Sequence, residues 1–206
     1  MATCSTKRER SHLTKMGLVV LRASISGPAI LFFVAAMLAL FPQASAQEVG
    51  EYQVKAAFLY NFTKFVDWPP LPGNAGKKQF EICVFGDDPF RNGLESIVEG
   101  KSVNGQVLEV RHIKKVEDAQ GCKIAFISSS EKGHLRTILN ALRGSGMLTV
   151  GDTEGFARMG GVINFTLVDN HVHIEINPEA AKVQKLKISS RLLRLAQIVQ
   201  SGDTGG

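Results

Sequence analysis

The stretch FEICVFGDDPF places two adjacent acids, Asp87 and Asp88, directly after an apolar run that ends in Gly86. If the run is a strand, the pair sits at its carboxyl end, where open α/β sheets gather ligand-binding groups. Neighbouring carboxylates there suit cation binding or proton abstraction. The simpler reading is that one of them caps a helix with Pro89 in its first turn. A second row, H-x-H-x-E at His171, His173 and Glu175, has the two-residue spacing that puts three side chains on one strand face. Two imidazoles and a carboxylate can begin a metal site, which then needs further ligands and their supports. Alternation explains the same row more simply, because Val172, Ile174 and Ile176 fill the other face. GFARMGG (155–161) could turn backbone N–H groups toward an anion, or only permit tight turns. Near the end, Ser189, Ser190, Arg191 and Arg194 offer arginines that pair with a carboxylate or grip an anionic ligand bidentately.

None of these sets completes a catalytic constellation. G-x-G-x-x-G is absent after the first strand, as are the P-loop, the G-x-S-x-G elbow, H-E-x-x-H and the EF-hand pattern. The expectation is a binding protein, not an enzyme, with no cofactor and no metal. A ligand crevice, if one exists, should use Asp87, Asp88, Gly151 and Asp152. A hydrolase or metal enzyme built on Asp87, His171 and His173 is the competing idea.

The elements around these residues alternate. Strands are expected at 80–86, 106–113, 123–129 and 147–152, with helices after Pro89 and around LRTILNAL, whose inner face is Leu135, Ile138, Leu139 and Leu142. Alternation of this kind argues for a parallel sheet covered on both faces. GVINFTLV and HVHIEI follow each other with only Asp169-Asn170 between, which reads as a hairpin. PEAAKVQKLKISSRLLRLAQIV reads as a closing helix with Ile188, Leu192, Leu195 and Val199 inward. The fold class is therefore α/β: a three-layer sandwich with a mostly parallel, flavodoxin/Rossmann-like sheet of order 2-1-3-4, a late antiparallel hairpin and a C-terminal helix.

Before the first strand lies EYQVKAAFLYNFTKFVDWPP, helical in period but apolar on more than one face. Val54, Phe58, Phe62, Phe65 and Val66 form a stripe that can dock on the sheet. Tyr52, Ala56, Leu59 and Thr63 form a second, while Lys55 and Lys64 mark the expected wet side. A helix covered on one side does not need two such stripes. The extra one is covered by the chain itself or by a partner.

The chain has 206 residues and a net charge of +5. Basic residues lead into the apolar run PAILFFVAAMLALF, and Ala44-Ser45-Ala46 has the A-x-A form of a signal-peptidase site, so residues 1–46 read as a secretory leader cut before Gln47. The run is shorter than the roughly 20 residues that span a bilayer. The leader holds five of the 24 Lys/Arg and one of the 19 Asp/Glu, which leaves 19 and 18. That near-neutral remainder lacks the basic footprint of a nucleic-acid binder. Residues 47–200 form the expected domain, and 201–206 a disordered tail. Cys4 leaves with the leader. In an oxidising compartment the default for the remaining pair, Cys83 and Cys122, is a disulfide. Adjacent strands of the 2-1-3-4 order supply the Cα spacing of roughly 4.4–6.8 Å that a bridge needs. A redox-active pair is the alternative, though no C-x-x-C is present.

The segments EYQVKAAFLYNFTKFVDWP, FEICVFGDDPF, GKSVNGQVLEV, CKIAFIS, MLTVGDTEGFARMGGVINF, IEINPEAA and KLKISSRLLRLAQIV, in this order, resemble the YfiR family of bacterial periplasmic proteins. The family's cysteine pair falls on Cys83 and Cys122. Some relatives carry a second pair around the G-G-x-I-N-F region, where this chain has Ala157 and Asn164. The resemblance implies a homodimeric repressor that holds down an inner-membrane diguanylate cyclase, or another membrane signalling protein, and so acts on cyclic-di-GMP and biofilm formation. A periplasmic small-ligand sensor is the alternative. Such a repressor needs an apolar contact patch with a few anchors. The candidates are Phe58, Phe62 and Trp68 on the first helix and its exit, with Arg191 and Leu192 on the last.

Overall fold

A computed structural model describes residues 44–69 and 78–202, the side chains of 44–49 aside. The expected leader up to residue 43, the loop over 70–77 and the tail from 203 lie outside the described residues. The strands are β1 (Val66–Asp67), β2 (Gln79–Phe85), β3 (Ser102–Val103), β4 (Gln106–Ile113), β5 (Cys122–Ile127), β6 (Leu148–Gly151), β7 (Ile163–Val168), β8 (His171–Ile176), β9 (Lys187–Ile188) and β10 (Gln197–Ile198), the longer ones built on apolar or alternating runs closed by turn residues. The α-helices are α1 (Ala44–Phe65), α2 (Gly93–Val98), α3 (Leu135–Ala141), α4 (Pro178–Val183) and α5 (Ser190–Arg194).

Eight strands form one sheet in the order β10-β8-β7-β6-β5-β2-β4-β3. The run β4-β2-β5-β6-β7 is parallel throughout, and its first four strands have the expected 2-1-3-4 order. β7 and β8 pair antiparallel from Ile163↔Ile176 to Val168↔His171. Asp169 and Asn170 both adopt positive φ, +48° and +62°, as a two-residue hairpin turn requires. Period-two alternation sends side chains to two separate cores. Phe80, Ile82, Val84, Ile124, Phe126 and Phe165 face the layer holding α1 and α2. Cys83, Phe85, Ala125 and Ile127 face α3, whose Leu135, Ile138 and Leu139 are buried as expected, with Leu142 beside them.

Two expectations are corrected. The face of α1 that docks on the sheet is Lys55, Ala56, Leu59, Phe62 and Thr63, followed by Val66; Val54 is exposed and Phe58 and Phe65 are half-buried. Lys55 is therefore inside, not on the wet side. The closing segment is also not one helix. Asn177 caps α4 by accepting from the Ala180 N–H, α4 ends at Val183 with Gln184 as its C-cap, and Lys185 just beyond takes φ +57°. The chain then runs through β9, which pairs antiparallel with β1, before Ser189 caps α5. Leu195, assigned to the inner face of a continuous helix, ends up 75% exposed.

The glycine-rich stretch 155–161 is a turn-rich connection that drives one side chain, Phe156, fully into the second core. Its ring lies against Gly151 and Gly161, and a Cβ on either glycine would overlap it. Hence the glycines at these two positions permit close approach of the Phe156 ring. Gly161→Ala is expected to destabilise the fold by about 1–3 kcal/mol, the range for overpacking. Adding Phe156→Leu should recover part of that. Gly133→Ala, with nothing within 4 Å of the added carbon, should stay within about 0.5 kcal/mol. Urea denaturation of the three variants checks the set.

Candidate functional site

The carboxyl ends of β2, β5 and β6 form the edge where Gly86, Asp87, Asp88, Ser128 and Asp152 gather. α1 runs back over this edge, and its first turns decide what stays open. Lys55 Nζ lies 2.8 Å from Asp152 Oδ2 and 2.6 Å from Glu51 Oε1, and the Tyr52 hydroxyl donates to the same Asp152 oxygen at 2.8 Å. The side chains of Lys55 and Asp152 are each only 5% exposed. Asp152 is thus sealed beneath α1, and Gly151 beneath Phe156. Neither lines an open crevice, which corrects that half of the expected ligand site.

The other half remains open. Asp88 borders a groove of about 360 Å³ lined by Tyr52, Gln53, Pro89, Phe90, Arg91 and Gly93. Asp88 Oδ1 accepts from the Phe90 N–H at 2.8 Å, so it stiffens the turn ahead of α2. The helix itself begins only at Gly93, with Asn92 before it. Asp87 is exposed, and its N–H donates to Ser130 Oγ at 3.0 Å. Asp88 Oδ2 also lies 3.3 Å from His112 Nε2 on β4, and Glu95 Oε1 on α2 lies 3.5 Å from the same nitrogen. Glu95 and His112 escaped notice in the sequence, where nothing local links them.

The histidine row on β8 does not converge. His171 Nδ1 meets the Asp169 carbonyl at 2.7 Å, and Glu175 accepts from Asn164 Nδ2 at 3.0 Å. Neither histidine belongs to a metal-sized cluster among the described residues.

Cys83 and Cys122 form a disulfide between β2 and the start of β5, with Cα atoms 5.9 Å apart and both residues buried. Arg111 on β4 covers it, with Nη2 3.2 Å from Cys122 Sγ, 2.8 Å from the Asp118 carbonyl and 3.1 Å from Glu81 Oε2. The bridge thus ties the central strand pair and lies under a guanidinium that also holds the turn before β5.

The expected partner anchors divide sharply. Phe62 is 0% exposed and Leu192 3%, so both are core residues and cannot meet a partner in the folded chain. Phe62 stacks on Phe165, with ring centroids 6.0 Å apart. Phe58 is half-buried and leans on both rings. Trp68 is half-buried too; its indole N–H donates to the Lys123 carbonyl at 2.9 Å and its ring meets Phe80 edge-on at 5.0 Å. It brackets the end of α1 to the sheet. Arg191 is exposed. Two further apolar residues, outside the expected anchors, are exposed nearby in chain or strand position. Val54, one turn before Phe58, is 46% exposed, and Leu167, two residues beyond Phe165 on the same strand face, is 48% exposed.

Removing one member of a buried ion pair leaves a charge without its partner. Lys55→Met should therefore cost about 3–5 kcal/mol. Because the Tyr52 hydroxyl can still donate to an amide oxygen, Lys55→Met with Asp152→Asn should recover most of the loss. A double-mutant cycle in urea measures the coupling. Replacing both bridge cysteines by alanine should cost about 2–5 kcal/mol in the same assay.

No curated protein matches the chain. Among solved structures it is similar to the ABC domain in complex with L-Trp from Streptococcus pneumonia, at 10% identity and a TM-score of 0.48, over 72% of this chain and 60% of that one. It is also similar to a conserved domain protein from Vibrio cholerae O1 biovar El Tor, at 11% identity and a TM-score of 0.47, over 71% of this chain and 59% of that one. The chain thus spans about 60% of the length of these solved relatives. The model of the YfiR/HmsC-like family matches residues 52–197, from Tyr52 over the Asp152 edge to the last strand, and this protein belongs to that family.

Proposed function

We propose that this protein is a periplasmic regulatory binding protein that represses an inner-membrane signalling protein of the diguanylate cyclase type by direct contact. YfiR/HmsC-like proteins are periplasmic regulators of cyclic-di-GMP signalling rather than enzymes, and membership over residues 52–197 is the observation that carries this reading. The leader at 1–46 delivers the chain, and cleavage before Gln47 leaves Glu51, Tyr52 and Lys55 on the mature protein. Repression requires tighter binding to the inactive form of the client than to the active one, since equal affinity shifts nothing.

The contact surface we assign is the strip of Val54, Phe58 and Leu167, with Arg191 as a charged contact elsewhere on the surface. These residues combine exposure with apolar or charged character on a rigid base, as interface anchors do. Homodimerisation, and lowered biofilm formation, belong to the same proposal.

A second reading has one feature in its favour, the groove beside Asp88 and Phe90. Its aromatic and carboxylate lining suits a small cationic or amphipathic ligand that tunes the repressor.

Deleting the gene should raise cyclic-di-GMP, and the purified protein should bind the periplasmic domain of the cyclase. Val54→Asp with Leu167→Asp should weaken that binding about tenfold or more, equivalent to about 1.4 kcal/mol, with the fold intact by circular dichroism. Unchanged cyclic-di-GMP after deletion would remove the cyclase from the account. Undiminished binding by the double variant would move the contact to another face.

A further inference from the structure

Three metal-ligating side chains from three different elements converge at one corner of the sheet. Asp88 stands in the turn after β2, Glu95 in α2 and His112 near the end of β4, where it pairs in register with Val84. The ligand atoms all lie within 4.8 Å of one another. His112 Nε2 is 3.3 Å from Asp88 Oδ2 and 3.5 Å from Glu95 Oε1. Ligands at Zn²⁺ distances of about 2.0–2.2 Å in a tetrahedron stand about 3.4 Å apart, so these two edges already match.

The charge balance points the same way. Among the described residues, neither Asp88 nor Glu95 forms an ion pair with a lysine or arginine; His112 is the partner of both. One imidazole carries at most one positive charge against two carboxylates. The Glu95 side chain is 39% exposed, but its second oxygen, Oε2, is itself turned away from solvent and has no hydrogen-bond partner. Leaving a buried carboxylate oxygen unpaired costs free energy, and a shared cation removes that cost. Asp88 Oδ2 is held toward the cluster because Oδ1 is occupied by the Phe90 N–H.

We propose that Asp88, Glu95 and His112 form a binding site for a divalent first-row transition cation of the Zn²⁺ type. One nitrogen and two carboxylate oxygens form a mixed hard and borderline donor set, which favours such ions over Mg²⁺, an ion of all-oxygen octahedral sites. Three protein ligands leave at least one position free for water or an incoming group. Asp88 also borders the groove of about 360 Å³, so the free position lies at its margin. A bound ion fastens α2 to β4 and fixes that wall of the groove. The site stands independently of the regulatory reading.

Titration of the metal-free protein with ZnCl2 should show one equivalent bound and a raised melting temperature, with MgCl2 giving neither. His112→Gln and Glu95→Gln should each weaken Zn²⁺ binding at least tenfold. Asp87→Asn and the His171→Gln/His173→Gln pair should titrate as the parent does. Co²⁺ should give a visible d–d band in the parent that is lost in His112→Gln. Absence of Zn²⁺ binding in the parent overturns the site, as does a His112→Gln protein that titrates normally. Loss of binding in the β8 histidine pair alone would move the metal to the hairpin and equally end this assignment.

Discussion

The pairing of Lys55 with Asp152 sets the rotation of α1, and much of the molecule follows from that angle. A lysine in the interior is costly unless its ammonium is matched, and here it meets two carboxylates and lies beside the Tyr52 ring. With Lys55 turned inward, the helix must bury Ala56, Leu59, Phe62 and Thr63 on the same side. Val54 is then turned to solvent and Phe58 is left half covered. The same contact closes the sheet edge over Asp152, while the groove beside Asp88 stays open. At the other end of the helix, Trp68 and the β1–β9 pair hold the exit in place. The helix is thus fixed by polar bonds at both ends and by the Phe58, Phe62 and Phe165 rings between them.

Much of this was legible in the sequence, and the failures have identifiable causes. Strand positions emerge from apolar run length and from glycine and proline punctuation, and the order 2-1-3-4 from the flavodoxin-like class that their alternation with helices suggests. The hairpin emerges from Asp169-Asn170, and the bridge from cysteine parity and export. What failed in α1 was the choice between two stripes of similar hydrophobicity. The buried face takes Phe62 and Val66 from the first stripe and Ala56, Leu59 and Thr63 from the second, with Lys55 among them; the inward lysine is matched by Asp152, nearly a hundred residues away. The final segment reads as a single helix because Leu and Ile recur at helical spacing. Lys185 breaks it by taking positive φ, a conformation that lysine does not advertise. Two-residue strands such as β9 and β10 have no periodicity to detect. Asp88, Glu95 and His112 come from three different elements, so no spacing rule brings them together.

The corrections also sharpen which residues a partner can use. Aromatic content in the first helix of the domain invites the inference that its rings are for binding. Here the inference holds for none of them without qualification: Phe62 is core, Trp68 is a bracket, and Phe58 shows only one side. The proposed contact strip adds to the half-buried Phe58 one α1 residue outside the aromatic set, Val54, and Leu167 from the hairpin. A surface assembled from a helix and a strand on one core is preorganised, which lowers the ordering cost of association.

That rigidity limits how regulation can work. If α1 were to lift from the sheet to release a client, Asp152 would lose its cation, at about 3–5 kcal/mol. Phe62 would leave the core at a comparable cost, about 3–5 kcal/mol by analogy with truncation of buried aromatics. Coupling between a regulatory ligand and a partner site is typically about 1–3 kcal/mol. The sum required for detachment exceeds that range, so on the proposed regulatory reading α1 stays docked with and without a client. A signal must then act through parts that move at smaller cost. The exposed end of the hairpin and the α2 corner qualify, since both are solvent-exposed in part and neither is clamped by the α1 ion pair. The α2 corner borders the open groove, so a ligand or ion there can alter one wall of it without disturbing the helix that organises the fold.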